Sequence, residues 1–275
     1  MIKFVADGRC GFSEIKLKNV SSHDASDFAE ELSRGNRAPA TVSSYLTHVC
    51  HILAEDDFGP AYHVCLDALD RGKRAARRHG LAGKSKVREL RLTDEELEKL
   101  MQYFSSLYEG NKRCIPVHYI LAFAIFGCRR QSEITSIKWD DFEEDDILVR
   151  GMKHPRRPEG IDTIATLTDE AKRIIALHGA RGTVRIFPYN PGTISRQFTD
   201  ACKLLGIKDL HFHDLWHEGI SWVREKGWSV SHTMMVSGHS STQTLDRYSK
   251  LRIRNDRYEN WQWFDRLEKL SEGRA

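Results

Sequence analysis

Nowhere in the 275 residues does an apolar run approach the ~18 residues that a membrane-spanning helix requires. The first residues, Met1-Ile2-Lys3-Phe4-Val5-Ala6-Asp7, turn acidic before a secretory core could form, which argues against export. The six cysteines (10, 50, 65, 114, 128 and 202) include no Cys-x-x-Cys pair. That pattern fits reduced intracellular thiols rather than a disulfide framework or a zinc site. There is no metal motif, no phosphate loop and no Gly-x-Ser-x-Gly elbow, so neither a metal ion nor a cofactor is expected. Charge of one sign is also scarce overall, the formal net charge being only +3.

What is present is an uneven distribution of charge. Nine basic residues and one acid, Glu89, lie between Arg71 and Arg91, a net +8 over 21 residues. Acids gather elsewhere, at Asp140-Asp141-Phe142-Glu143-Glu144-Asp145-Asp146. A segregated basic stretch is the footprint of phosphate contact, or else a solvated linker. The remaining composition, 40% hydrophobic and 29% charged, suits a soluble globular chain. A domain of about 150 residues being common, two domains are expected.

Helical spacing predicts helices at 22–34, capped by Ser22, from Pro39 through Ile52, and from Ala61 to about His79. Gly80 to Lys86 reads as a flexible basic linker. Thr93 with Glu96 forms a capping box that opens the next domain. Further helices are expected at roughly 94–107, 115–127, 130–138, 168–178, 192–205, 214–226, 230–236, 241–248 and 257–270. Two strand-like runs, 147–151 and 161–165, flank a Pro- and Gly-rich basic tip at 153–160, which predicts a β-hairpin. The fold class is thus mainly α with a small β-hairpin or sheet, α+β. The expected division is a short extension at 1–20, a helical domain at 21–80, a basic linker at 81–92, and a second domain at 93–275 ending in a helix.

The chemistry lies in dispersed Arg, Lys, His and Tyr residues. His213-Asp214-Leu215-Trp216-His217 is followed by Gly238-His239 and then by Tyr248, nine residues after His239. Upstream, Arg130 precedes Glu133 by three residues and leads into Trp139-Asp140-Asp141. These segments resemble the signature of the tyrosine recombinases of the phage-integrase family, which carries His-x-x-Arg-His, Gly-His, a nucleophilic Tyr and an Arg-box, in matching order. The resemblance covers roughly residues 25 to 255.

The resemblance implies an enzyme that cuts and rejoins double-stranded DNA through a 3′-phosphotyrosine intermediate, with no ATP. Tyr248 is then the nucleophile, and Arg130 clamps the scissile phosphate. Lys153 protonates the leaving 5′-oxygen, while His213 and His239 bind the phosphate and manage protons. Such roles suit the residue types: a phenol with a pKa of ~10 needs activation, and guanidinium groups hold electron-rich phosphates without a metal. Glu133 orients neighbours, His217 is read as structural, Arg129 as a surface or DNA-backbone contact, and Trp139 as core packing. Position 216 departs from the pattern, because Trp216 stands where the family has its second clamping arginine. Three explanations stand: a decayed recombinase that only binds DNA, replacement by Arg129, Arg224 or Arg247, or a changed sequence.

The helical domain is expected to be the core-type DNA-binding domain and residues 93–275 the catalytic one, together forming a C-shaped clamp on the duplex. Its DNA-binding residues are expected to be Arg71, Lys73, Arg74, Arg77, Arg78, Lys84, Lys86 and Arg88. The resemblance also implies a homotetramer on DNA, a cytoplasmic location in a bacterium, and no membrane partner. The C-terminal helix, carrying Trp261, Trp263, Phe264 and Leu267, is expected to dock on a neighbouring protomer or on its own domain. The chain starts almost directly at the first helical domain, so an arm-binding module is expected to be absent or vestigial in residues 1–20.

Overall fold

Local capping sets where several helices begin. Ser21 rather than Ser22 caps α1 (Ser22–Arg34): its hydroxyl accepts from the Asp24 amide, and the Asp24 carboxylate accepts from the Ser21 amide at 2.7 Å. Two more helices follow, α2 (Pro39–Ala54) and α3 (Ala61–Arg78). The computed structural model describes residues 15, 19–54, 61–85, 90–154, 157–179 and 182–272. Contacts divide the chain into two compact units, Met1–Arg88 and Glu89–Ala275.

In the first unit, Phe28, Leu32, Val42, Leu46 and Ala76 form a small core. Leu69, Gly72 and Ala76 recur at helical spacing on the buried side of α3, leaving Arg71, Arg74, Arg77 and Arg78 exposed. The segment expected to be a flexible linker begins as folded chain. Ala82 is buried and Gly83 donates its amide to the Pro39 carbonyl at 3.0 Å. Apolar Leu81 and Ala82 dock on this small core, and that docking overrides the glycines around them.

The second unit opens with α4 (Asp94–Gly110), for which Thr93 and Glu96 make the capping box. Next, α5 (Val117–Phe126) is apolar apart from His118 and buried at all its positions, so it lies at the centre of the core. The expected helix over 130–138 is broken. Only one turn, α6 (Gln131–Ile134), forms, then a 3-10 turn at Trp139–Asp141. The hydroxyls of Thr135 and Ser136 bond back to the Gln131, Ser132 and Glu133 carbonyls, which ends the helix early.

A three-stranded antiparallel sheet runs β1 (Phe142–Glu143), β2 (Asp146–His154) and β3 (Arg157–Thr166), in that spatial order. Most of the expected basic tip is therefore strand. The ladder continues to His154 and Arg157 through two register shifts, and Pro158 is tolerated because β3 is an edge strand.

Helices α7 (Asp169–His178), α8 (Pro191–Leu204), α9 (Phe212–Glu225) and α10 (Val230–Ser237) follow, and α9 packs across α5. The segment 241–248, expected as one helix, is two 3-10 turns, Thr242–Thr244 and Asp246–Tyr248. Their hydroxyl groups bond to local carbonyls and compete with the helical ladder. The last helix, α11 (Trp263–Glu272), starts later than expected and packs on its own unit. Trp263, Phe264, Leu267 and Leu270 are buried, and Tyr119 donates its hydroxyl to the Leu267 carbonyl at 2.8 Å. Among the described residues, no helix is long and apolar enough to cross a membrane.

Candidate active site

Helix α9 carries His213, Trp216 and His217 at positions i, i+3 and i+4, so all three share one face. Gly219 sits one turn on, where α9 meets α5. A Cβ there would collide with the Ile125 carbonyl and come within 3.1 Å of Cys128 Sγ. This close approach brings the start of α9 beside the chain that follows α5, which carries Arg129 and Arg130. An Arg–carboxylate cluster centred on Glu218 secures the same helix. Arg91 donates through Nε and Nη2 to the fully buried Glu218 carboxylate at 2.9 and 2.8 Å, and through Nη1 to Glu225 at 2.7 Å. Arg257 adds a bond to Glu218 at 2.6 Å and one to Asp94 at 2.7 Å.

Trp216 is the hub of the site. Its ring is stacked with His213 (centroids 4.8 Å apart, planes at 26°) and with His239 (5.3 Å, 25°). The Arg130 guanidinium carbon stands 4.1 Å from the same ring. The indole is buried, and its N–H has no hydrogen-bond partner among the described residues. His239 reaches this position because Gly238 caps α10 in the left-handed region, at φ 69°, and turns the chain.

Glu133 holds both arginines of its box. Its Oε1 lies 2.8 Å from Arg130 Nη1, and its Oε2 lies 3.8 Å from Arg129 Nη1. Arg130 is partly exposed and faces the site. Arg129 is not a surface contact as expected but is completely buried. Its Nε donates to the Gly127 carbonyl at 2.9 Å, while Nη1 and Nη2 have no hydrogen-bond partner among the described residues. Desolvation lowers its pKa.

Tyr248 is buried, with its ring turned toward α9 and its phenol hydrogen-bonded to Nδ1 of His217. Burial pushes the phenol well above its ordinary pKa. Burial likewise pulls His217 and His239 down to about 4, assisted by Arg247 and His213 at His217, and by Arg130 and Arg129 at His239. His213 is lowered in the same direction by desolvation and by Arg130. All three imidazoles are therefore neutral at neutral pH. Ser237 gives its single hydroxyl proton to the Thr233 carbonyl, so the 2.6 Å contact between Ser237 Oγ and His239 Nδ1 requires the histidine to donate.

Arg130, His213, His239 and Trp216 thus meet at one place, with Tyr248 joined to it through His217. Lys153 lies on β2, and its side chain falls outside the described residues. Of the three arginines considered as replacements at 216, Arg224 bonds the Trp228 carbonyl, Arg129 is buried, and Arg247 lies 5.6 Å from the Tyr248 ring centroid. His217, whose expected role is structural, is the imidazole that bonds the Tyr248 phenol. Its signal was the four-residue spacing from His213, which puts both rings on one helical face.

Along α3, Arg71, Arg74, Arg77 and Arg78 are exposed and Lys73 is half-buried; Lys84, beyond the helix, is exposed. Lys86 and Arg88 lie outside the described residues. The charge of Arg91, at the end of the basic stretch, is taken up by Glu218 and Glu225.

The sequence profile of the phage integrase family matches residues 90–254. A shufflon-specific DNA recombinase of Escherichia coli is 30% identical over 186 residues, covering 67% of this chain and 44% of that protein. The chain thus spans less than half the length of this curated relative. Among solved structures, a lambda integrase dimer bound to a COC' core site is similar with a TM-score of 0.57 and 21% identity. That match covers 89% of this chain and 67% of the other. The Tn1549 transposon integrase (residues 82–397), in complex with circular intermediate DNA, has a TM-score of 0.58 and 14% identity, covering 87% and 84%. At these identities the structural likeness establishes a shared fold.

Proposed function

The chain belongs to the phage integrase family of tyrosine recombinases, and from that premise we propose that it is a site-specific DNA recombinase acting through Tyr248. One observation carries the reading: residues more than a hundred positions apart, from Arg130 to Tyr248, gather around one helical face, with a phenol beside a neutral imidazole. In this reading the phenol oxygen attacks a backbone phosphorus, and a 3′-phosphotyrosine holds the bond energy until a second strand's hydroxyl reverses the step. Arg130 supplies the fixed charge that the electron-rich transition state needs, since guanidinium groups stay ionised and bind phosphate oxygens in a planar fork. His213 and His239 contribute hydrogen bonds to the phosphate, and Lys153 protonates the leaving oxygen.

The first unit is proposed to be the core-type DNA-binding domain, with the exposed arginines of α3 on phosphates. The partner is double-stranded DNA. A homotetramer on two DNA sites and a cytoplasmic location complete the reading. Affinity then comes largely from phosphates, and log K falls linearly with log salt. Arg71→Gln and Arg74→Gln are each expected to reduce that slope by about one.

Trp216 favours a second reading, a recombinase that binds DNA but cleaves weakly or not at all. Tryptophan carries no charge, and loss of a transition-state arginine in phosphoryl transfer costs ~10³–10⁵ in rate. A pool of labelled, nicked suicide duplexes with a randomised core separates the two. A covalent adduct on denaturing gels that disappears in Tyr248→Phe supports the enzyme. Binding without an adduct, with adducts appearing in Trp216→Arg, supports the DNA-binding reading. No binding at low salt overturns both.

A further inference from the structure

We propose that His217 is the proton acceptor for the Tyr248 phenol, and that it takes this role only once a phosphodiester occupies the site. The inference rests on the nucleophilic role given to Tyr248 above.

Nδ1 of His217 is hydrogen-bonded to the phenol oxygen itself, the atom that must lose its proton. The phenol is buried, so bulk water does not compete for that proton. His217 cannot drift away, because α9 is pressed onto Ile125 at Gly219 and tied through Glu218 to Arg91 and Arg257. Among the described residues neither His213 nor His239 bonds the phenol. His213 lies at the exposed edge of the Trp216 stack, and Nδ1 of His239 is engaged with Ser237.

Electrostatics then explain why the pair is inert without substrate. His217 faces Arg247 from the turn that carries Tyr248, Arg130 from the first-arginine box, and His213 and Asp214 from its own helix. Only Asp214 among these favours a proton on the imidazole. Burial and the two arginines favour the neutral ring, while burial holds the proton on the phenol. A phosphodiester brings a negative charge into this positive surrounding. It opposes Arg130 and Arg247, raises the basicity of His217, and lets the proton leave as the oxygen–phosphorus bond forms.

The phenol O–H bond breaks and its proton moves to Nδ1. The phenol oxygen bonds to phosphorus as the P–O5′ bond breaks. The leaving oxygen takes a proton from a separate donor, the role given to Lys153, and reversal returns the imidazolium proton to the phenol. The nucleophile is therefore masked in the free protein and unmasked by its own substrate.

The test compares the full chain, native and Trp216→Arg, with His217→Gln and His217→Ala made in each, on the same nicked duplexes across pH. General-base help is typically worth 10²–10⁴-fold. The proposal expects His217→Ala to slow adduct formation by at least a hundredfold, with a rate that climbs with pH and is restored by added imidazole. His217→Gln, which keeps a hydrogen-bond acceptor but does not titrate, should fold normally and remain slow. An adduct rate within about threefold of the parent in both variants overturns the proposal and leaves the Tyr248 reading standing. Slow variants with an unchanged pH profile and no response to imidazole overturn it too, as they mark a purely structural residue. Should no parent chain form an adduct, the recombinase reading fails first. NMR titration of His217 with and without inorganic phosphate then decides the pairing. A midpoint rising from about 4 toward the ordinary histidine value supports substrate-gated basicity, and an unmoved midpoint overturns it.

Discussion

The guanidinium carbon of Arg130 lies 4.1 Å from the ring of Trp216, so the partly exposed arginine proposed as a phosphate clamp rests on the tryptophan at the position where a second was expected. A cation on an indole face gains about 0.5–2 kcal/mol, depending on how far it is desolvated. Trp216→Arg exchanges that contact for like-charge repulsion. We expect it to raise adduct formation by at least a hundredfold on suicide duplexes while lowering the unfolding midpoint. Trp216→Ala, which empties a buried stack, should cost about 3–5 kcal/mol in denaturant unfolding with no gain in cleavage. A Trp216→Arg chain as slow as the parent would remove the missing charge as the cause.

Arg129 is a buried charge that receives little in return. One hydrogen bond from Nε and a carboxylate at 3.8 Å leave both terminal nitrogens without a hydrogen bond. Replacing a poorly paired buried charge by an apolar side chain of similar length is often neutral or stabilising, by about 1–4 kcal/mol. Arg129→Met is therefore expected to match or exceed the parent in chemical denaturation. A loss above about 2 kcal/mol would mean that the guanidinium contributes more to the fold than its contacts indicate.

Glu218 presents the opposite case. Its carboxylate is fully buried and receives Arg91 twice and Arg257 once. Glu218→Ala takes one carboxylate from each of two partly buried arginines, which keep Glu225 and Asp94, so the loss should fall below the full ~3–5 kcal/mol, at about 2–3 kcal/mol. Differential scanning calorimetry should show the second unit melting earlier. Because Glu218 adjoins His217 on α9, the spectral signature of the Tyr248 phenol should move as well.

Acid should weaken the fold before carboxylates titrate. The folded pKa values of His217 and His239, about 4, lie below the ordinary 6.5. The unfolded chain thus binds more protons between these values, so stability rises with pH across that window and is lost as pH falls through it. With allowance for solvent screening, each histidine contributes about 1 kcal/mol. Urea unfolding between pH 7 and about pH 4.5 should show this decline, made shallower in His239→Gln. A flat profile would place both histidines in water.

Several features were legible in the sequence because they depend on neighbours a few residues apart. The Thr93–Glu96 capping box started its helix where expected, and the run from Val117 to Phe126, apolar but for His118, formed the helix expected over roughly 115–127. The order of Arg130, His213, His239 and Tyr248 also carried the family resemblance. Other features resisted for a physical reason. Thr135 and Ser136 end a helix through back-bonded hydroxyls, which periodicity does not register. The pairing of β2 with β3 extended through a segment whose Pro and Gly content reads as a turn.

By itself, then, the sequence determined the chemistry available to this protein: a phenol, a single arginine at an expected clamp position, histidines at helical spacing and a tryptophan where charge was expected. Tertiary structure alone decided which of these groups touch. It buried Arg129, paired His217 with Tyr248, stacked two histidines on Trp216, and folded α11 onto its own unit. The reason is that capping and periodicity act through a few bonds of backbone, whereas desolvation and ring contacts arise only when distant segments pack. At Gly219, where α9 crosses α5, that packing leaves no room for a side-chain carbon against the Ile125 carbonyl.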